Sequence, residues 1–197
     1  MAIQTHTWSA HDEQQRNAIL ERPAVADDAS IRAGAAAIID EVRRHGDAAL
    51  HRLTAEYDQV DIQDLRVTDE ELDRAGHSLT AAQLDAIDLA IDNVSKFHRA
   101  QIQANIRVET MQGVVCERVS HPIDAVGLYV PAGTAPLPSA AIMLAVPAQI
   151  AGCPVRVLAT PPRPDGEADP AVLVAASRAG VREIYKVGGA QAIAALA

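Results

Sequence analysis

Aromatic side chains are scarce in this chain: one Phe, one Trp and three Tyr in 197 residues. A core built on stacked rings is excluded, and 39 alanines point instead to a closely packed Ala/Val/Ile/Leu interior that favours helices over an all-β fold. Cysteine is nearly absent as well. Cys116 and Cys153 form no CxxC and lie 37 positions apart, which argues against a disulfide framework or a zinc knuckle and reads as two buried thiols in a reducing compartment. Basic residues are in deficit, 17 against 26 Asp and Glu for a net charge of −9, and form no basic stripe. Neither nucleic acid nor an anionic membrane is the expected partner. No apolar run approaches ~18 residues and the opening MAIQTHTWSAHDEQQ is polar, so a soluble, cytoplasmic protein is expected.

The charge that is present is unevenly spread. Residues 1–110 carry 20 acids and 11 Lys or Arg, whereas residues 111–197 carry six of each and most of the Gly and Pro. The acidic front shows helix-start signals at Ser9 with Asp12, Thr68 with Glu71 and Thr80 with Gln83, where a hydroxyl precedes a side chain able to return to the cap N–H. After Thr80, Leu84, Ile87, Leu89, Ile91 and Val94 continue mostly at helical spacing toward Gln101. Ser30 opens another helix, stopped by Gly46 in a left-handed conformation, and Asp47 starts a short one through Leu50, Leu53 and Tyr57. The acidic groups Asp69-Glu70-Glu71 and Asp85, Asp88, Asp92 read as solvated helix faces.

Near residue 106 the period changes. Residues 106–109 and 114–119, joined by Met111-Gln112-Gly113, read as a hairpin. Three apolar runs then begin at Ala125, Val155 and Glu183, spaced by 30 and 28 residues, the length of a strand, a crossover helix and two loops. Residues 139–151 and 170–179 supply the crossovers, with Pro147 expected to kink or shorten the first. The expected fold class is α/β: an acidic helical scaffold over 1–105, a connecting hairpin over 106–124, and a partial Rossmann-like parallel βαβαβ sheet over 125–197 with right-handed crossovers.

A Gly- or Pro-rich loop follows each run, at 131–138, 161–166 and 188–189, so all three share the sheet edge where open α/β folds bind ligands. Gly188-Gly189 leads straight into a helix, which suits either a tight connection or a phosphate met by free N–H groups, although GxGxxG is missing. Tyr129 ends its strand, where a ring either stacks on a nucleotide or packs beneath the loop. Gln191, in the first turn of the last helix, offers an acceptor and two donors to the same edge or else faces solvent. The seven histidines contain no pair three or four apart and no HExxH, so no local zinc site is expected, and no nucleophile with a readable base can be nominated.

Residues 126–139 (VGLYVPAGTAPLPS), 143–148 (MLAVPA), 150–153 (IAGC) and 187–197 (VGGAQAIAALA) resemble histidinol dehydrogenases, as do Arg22-Pro23, residues 42–50 (VRRHGDAAL) and Phe97-His98 in the front half. Ala132 departs from the family's usual Gly. The resemblance implies a cytoplasmic, homodimeric, zinc- and NAD-dependent enzyme that oxidises L-histidinol through the bound aldehyde to L-histidine with two NAD⁺. It implies cofactor contacts at Tyr129, Gln191 and, beside them, Pro131. The family's zinc ligands and Glu-His acid/base pair match nothing before Ala197, so no catalytic or metal residue is assigned. The chain is expected to be the amino-terminal half, inactive alone. The alternative is a non-catalytic nucleotide-binding or dimerisation module.

Overall fold

The structure, a computed structural model, describes residues 5–21, 29–132 and 135–197. Arg22-Pro23 and the Gly133-Thr134 pair of the first loop lie outside the described residues. The chain forms two compact units, residues 1–37 and 38–197.

In the first unit a 3-10 turn, Trp8–Ala10, precedes helix α1, Glu13–Leu20. The expected cap is displaced. Ser9 lies inside the turn, and Asp12 caps α1, accepting from Gln15 N–H while the Gln15 side chain accepts from Asp12 N–H. A carboxylate offers the same acceptor to the helix start as a hydroxyl, three residues later.

Helix α2, Ala29–His45, is followed by α3, Asp47–Tyr57, α4, Asp69–Ser78, and α5, Ala81–Arg99. Thr68 and Thr80 cap α4 and α5 as their spacing predicts, and Thr80 with Gln83 completes a reciprocal box. Gly46 departs from a left-handed stop: at φ 53°, ψ −133° it is both the end of α2 and the N-cap of α3.

The hairpin consists of β1, Ile106–Met111, and β2, Val114–Arg118, paired antiparallel with Val108 opposite Cys116. Every residue of both strands is exposed, Cys116 included, so the two thiols differ: only Cys153 is buried. Alternation in this hairpin therefore reports strand geometry without reporting a buried face.

The sheet is parallel, with β3 (Ala125–Tyr129), β4 (Val155–Thr160) and β5 (Glu183–Lys186) in that spatial order. The crossovers are α6, Pro138–Ile150, and α7, Pro170–Arg178, and the last element is α8, Gly189–Leu196. Pro147 does not end α6, which continues to Ile150, although its ring has no N–H to donate to the Met143 carbonyl. The register aligns Leu128, Leu158 and Ile184 across the sheet, and next to them Tyr129, Ala159 and Tyr185. Since side chains alternate between faces, each row belongs to a different core. The Leu/Ile row packs with Ala141, Ala145, Val172, Leu173 and Ala176 of α6 and α7 and with Ile87 of α5. The second row packs with Leu50 and Leu53 of α3 and Ala192 of α8. Alanines with no exposed surface at 141, 145, 175 and 176 show how an aromatic-poor chain fills its interior, by bringing backbones close.

The outer edge of β5 is covered. Val67 N–H donates to Ile184 O at 2.9 Å and Lys186 N–H to Leu65 O at 2.7 Å, so residues 65–67 run antiparallel along it and satisfy groups an edge strand would leave bare.

Candidate functional site

Parallel strands deliver their carboxyl ends to one edge, and here those ends carry Tyr129, Thr160 and Lys186. The turn after β5 closes the edge. Gly188 is the N-cap of α8, and Gly189 opens it at φ +61°, a left-handed conformation that L side chains rarely adopt. Gly188 is needed for space: a Cβ there would sit 2.8 Å from Pro161 Cγ and 3.2 Å from Asp58 Oδ1.

Tyr129 and Gln191 are brought to this turn from opposite directions. The Tyr129 hydroxyl accepts from Gly189 N–H at 3.0 Å, tying the end of β3 to the start of α8. That bond uses an oxygen lone pair and leaves the phenolic hydrogen free to donate. The Gln191 side chain is buried, 1% exposed, rather than solvent-facing; its Oε1 lies 2.7 Å from where a Gly189 Cβ would be, and its Nε2 has no hydrogen-bond partner. A buried carboxamide with an unused donor is unusual in a folded interior. Pro131 is exposed, one residue beyond buried Val130, and shares the edge without a hydrogen bond to the turn.

A cavity of about 650 Å³ lies against the sheet face, lined by groups that include Leu50, His51, Arg66, Val126, Tyr185 and Leu196. It reaches the starts of β3 and β4 at Ala125 and Val155 and is not lined by Tyr129 or Gln191, so the concave space and the polar edge are separate features. Among the described residues no three His, Cys, Asp or Glu side chains are grouped to hold a metal ion.

Two residues at this edge escape sequence reasoning. Glu71 belongs to an acidic triplet that reads as solvated, yet it is 4% exposed: its Oε2 pairs with Lys186 Nζ at 3.0 Å and its Oε1 accepts from Ala168 N–H at 3.2 Å. Asp58, at the end of α3, is the other; the only sequence signal is an acid at a helix C-terminus, where the macrodipole disfavours it.

The histidinol dehydrogenase family model matches residues 21–197. The histidinol dehydrogenase of Vibrio vulnificus (strain CMCP6) is 48% identical over 195 residues, 99% of this chain and 44% of the relative. That of Xanthomonas oryzae pv. oryzae is 49% identical over 190 residues, again 44% of the relative. A crystal structure of histidinol dehydrogenase from Elizabethkingia anophelis superposes with a TM-score of 0.86 at 34% identity, covering 94% of this chain and 42% of the other. The chain thus spans less than half the length of the relatives it matches. With the family model matching nearly the whole of it, the chain belongs to the histidinol dehydrogenase family.

Proposed function

We propose that this chain supplies the NAD-side wall of a histidinol dehydrogenase, which oxidises L-histidinol through the aldehyde to L-histidine, and that zinc and the acid/base pair are provided by residues outside these 197. The division into a helical scaffold over 1–105, a connecting hairpin over 106–124 and a cofactor-side half-sheet over 125–197, and a cytoplasmic homodimer as the working assembly, belong to the same proposal. When bound, NAD⁺ supplies the hydride acceptor. The chain's own residues bind and orient it.

The observation that carries this reading is the Tyr129 to Gly189 hydrogen bond with Gln191 buried beside it. It leaves one phenolic donor and one carboxamide donor unused at the carboxyl edge of a parallel sheet, which suits the acceptor-rich phosphates and carboxamide of a dinucleotide. Pro131 has no N–H to offer and contributes its ring and its carbonyl oxygen.

Titration with NAD⁺ tests the site. Tyr129→Phe and Gln191→Ala are each expected to weaken binding about tenfold, the worth of roughly 1.4 kcal/mol for a lost hydrogen bond. Affinities equal to wild type would remove both residues from the site. Supplied with Zn²⁺, NAD⁺ and histidinol, the isolated chain is expected to form no NADH; clear histidinol-dependent production would sink the assignment of catalysis to residues elsewhere.

A further inference from the structure

Four buried polar atoms without hydrogen-bond partners belong to residues around the Gly188–Gly189 turn and the end of α3: Thr54 Oγ1, Asp58 Oδ2, Thr160 Oγ1 and Gln191 Nε2. Thr54 and Asp58 are four residues apart and so share a face of the helix end. Thr160 precedes Pro161, and Pro161 and Asp58 both occupy the space a Gly188 Cβ would need, while Gln191 occupies that of a Gly189 Cβ. Thr54, Thr160 and Gln191 are each no more than 1% exposed. Buried polar atoms are ordinarily satisfied, so the unused Asp58 Oδ2 and Gln191 Nε2, whose side chains both flank the turn, mark a place for a partner.

Asp58 is the least comfortable member. It is the C-cap of α3, where a carboxylate meets the negative end of the helix dipole. Burial raises its carboxyl above the usual value of 3.8. The next residue, Gln59, has φ +59° and is the single non-glycine residue with positive φ among the described residues. Unfavourable features at two consecutive positions, Asp58 and Gln59, fit a segment shaped for binding at the expense of stability. The Asp58 carboxylate offers acceptors only, so it suits hydroxyl donors and not a phosphate.

We propose that Asp58 is a further cofactor-binding residue, whose carboxylate accepts hydrogen bonds from the sugar hydroxyls of a nucleotide held at the Gly188–Gly189 turn. This rests on the dinucleotide reading above and adds a residue to it from α3, 130 positions before the turn. Gly188 makes the approach feasible, because any side chain there would meet the carboxylate.

The test is titration of wild type and Asp58→Asn with NAD⁺, AMP and nicotinamide mononucleotide, alongside thermal unfolding. Asp58→Asn is expected to unfold at the same or a higher temperature yet to bind NAD⁺ about tenfold or more weakly, since a charged acceptor is lost. The mononucleotide that weakens in parallel identifies which of the two riboses Asp58 holds. A merely structural Asp58 would show lower stability with unchanged affinity, and that result overturns the inference. If Tyr129→Phe and Gln191→Ala weaken NAD⁺ binding while Asp58→Asn does not, the inference fails and the dinucleotide reading stands. If wild type binds none of the three nucleotides, the reading itself falls and the Asp58 role with it.

Discussion

Replacing Glu71 with Ala is expected to destabilise the protein by about 3–5 kcal/mol, because it leaves a buried ammonium without its counter-charge. The Lys186 side chain is only 10% exposed and the Glu71 side chain 4%, so neither is screened by water as the surface pairs are. Glu71 also holds Ala168 N–H, just before α7, and its loss would strand that donor as well. Against a typical total of 5–15 kcal/mol, such a change removes a large part of the native state's margin. The double variant Glu71→Leu/Lys186→Met should recover most of the loss, since an apolar pair of similar volume escapes the desolvation that makes a lone buried charge expensive. Urea unfolding of the two single variants and the double provides the check. Single variants within about 1 kcal/mol of wild type would show that the pair is solvated in solution and does not anchor α4 to the end of β5.

The same pair shows where sequence reasoning reaches its limit. Local patterns read well: the three parallel strands begin at their expected residues, and the Thr80 box is present as spaced, because both depend on residues a few positions apart. Tyr129 was legible as a strand end, and Gln191 as a first-turn residue. The burial of Gln191 was not legible, because it depends on α3 packing against α8 from far away in the chain. Glu71 was misread for a related reason. Three acids in a first helical turn are what the dipole favours on any exposed helix, and the lysine that draws one of them inward is 115 residues distant. Cys116 erred in the opposite sense: thiols are usually buried, but its strand belongs to a hairpin with both faces exposed. Asp58 carried a signal, an acid at a helix C-terminus, but the meaning of that signal depends on the Gly188 turn that packs against it.

Gly188→Ala is expected to cost about 1–3 kcal/mol and to distort the edge on which binding depends. The backbone there is extended, φ −105°, so an alanine meets no conformational obstacle and the cost is steric. Its Cβ would lie 2.8 and 2.9 Å from the Pro161 ring carbons Cγ and Cβ, and 3.2 Å from Asp58 Oδ1. The proline ring follows β4 directly and cannot swing aside as a flexible side chain would. Gly189→Ala makes a useful contrast. There the nearest atom is Gln191 Oε1, the movable end of a side chain, while φ +61° supplies the penalty through the backbone, about 1–2 kcal/mol. The two substitutions therefore differ in what relieves them. Pro161→Ala added to Gly188→Ala should restore at least about 0.5 kcal/mol beyond additivity, whereas added to Gly189→Ala it should restore nothing. A cycle in which Pro161→Ala is additive with both would mean that the turn relaxes without contacting the ring. In that case the narrow packing of Gly188 between Pro161 and Asp58 would no longer explain why a glycine stands there.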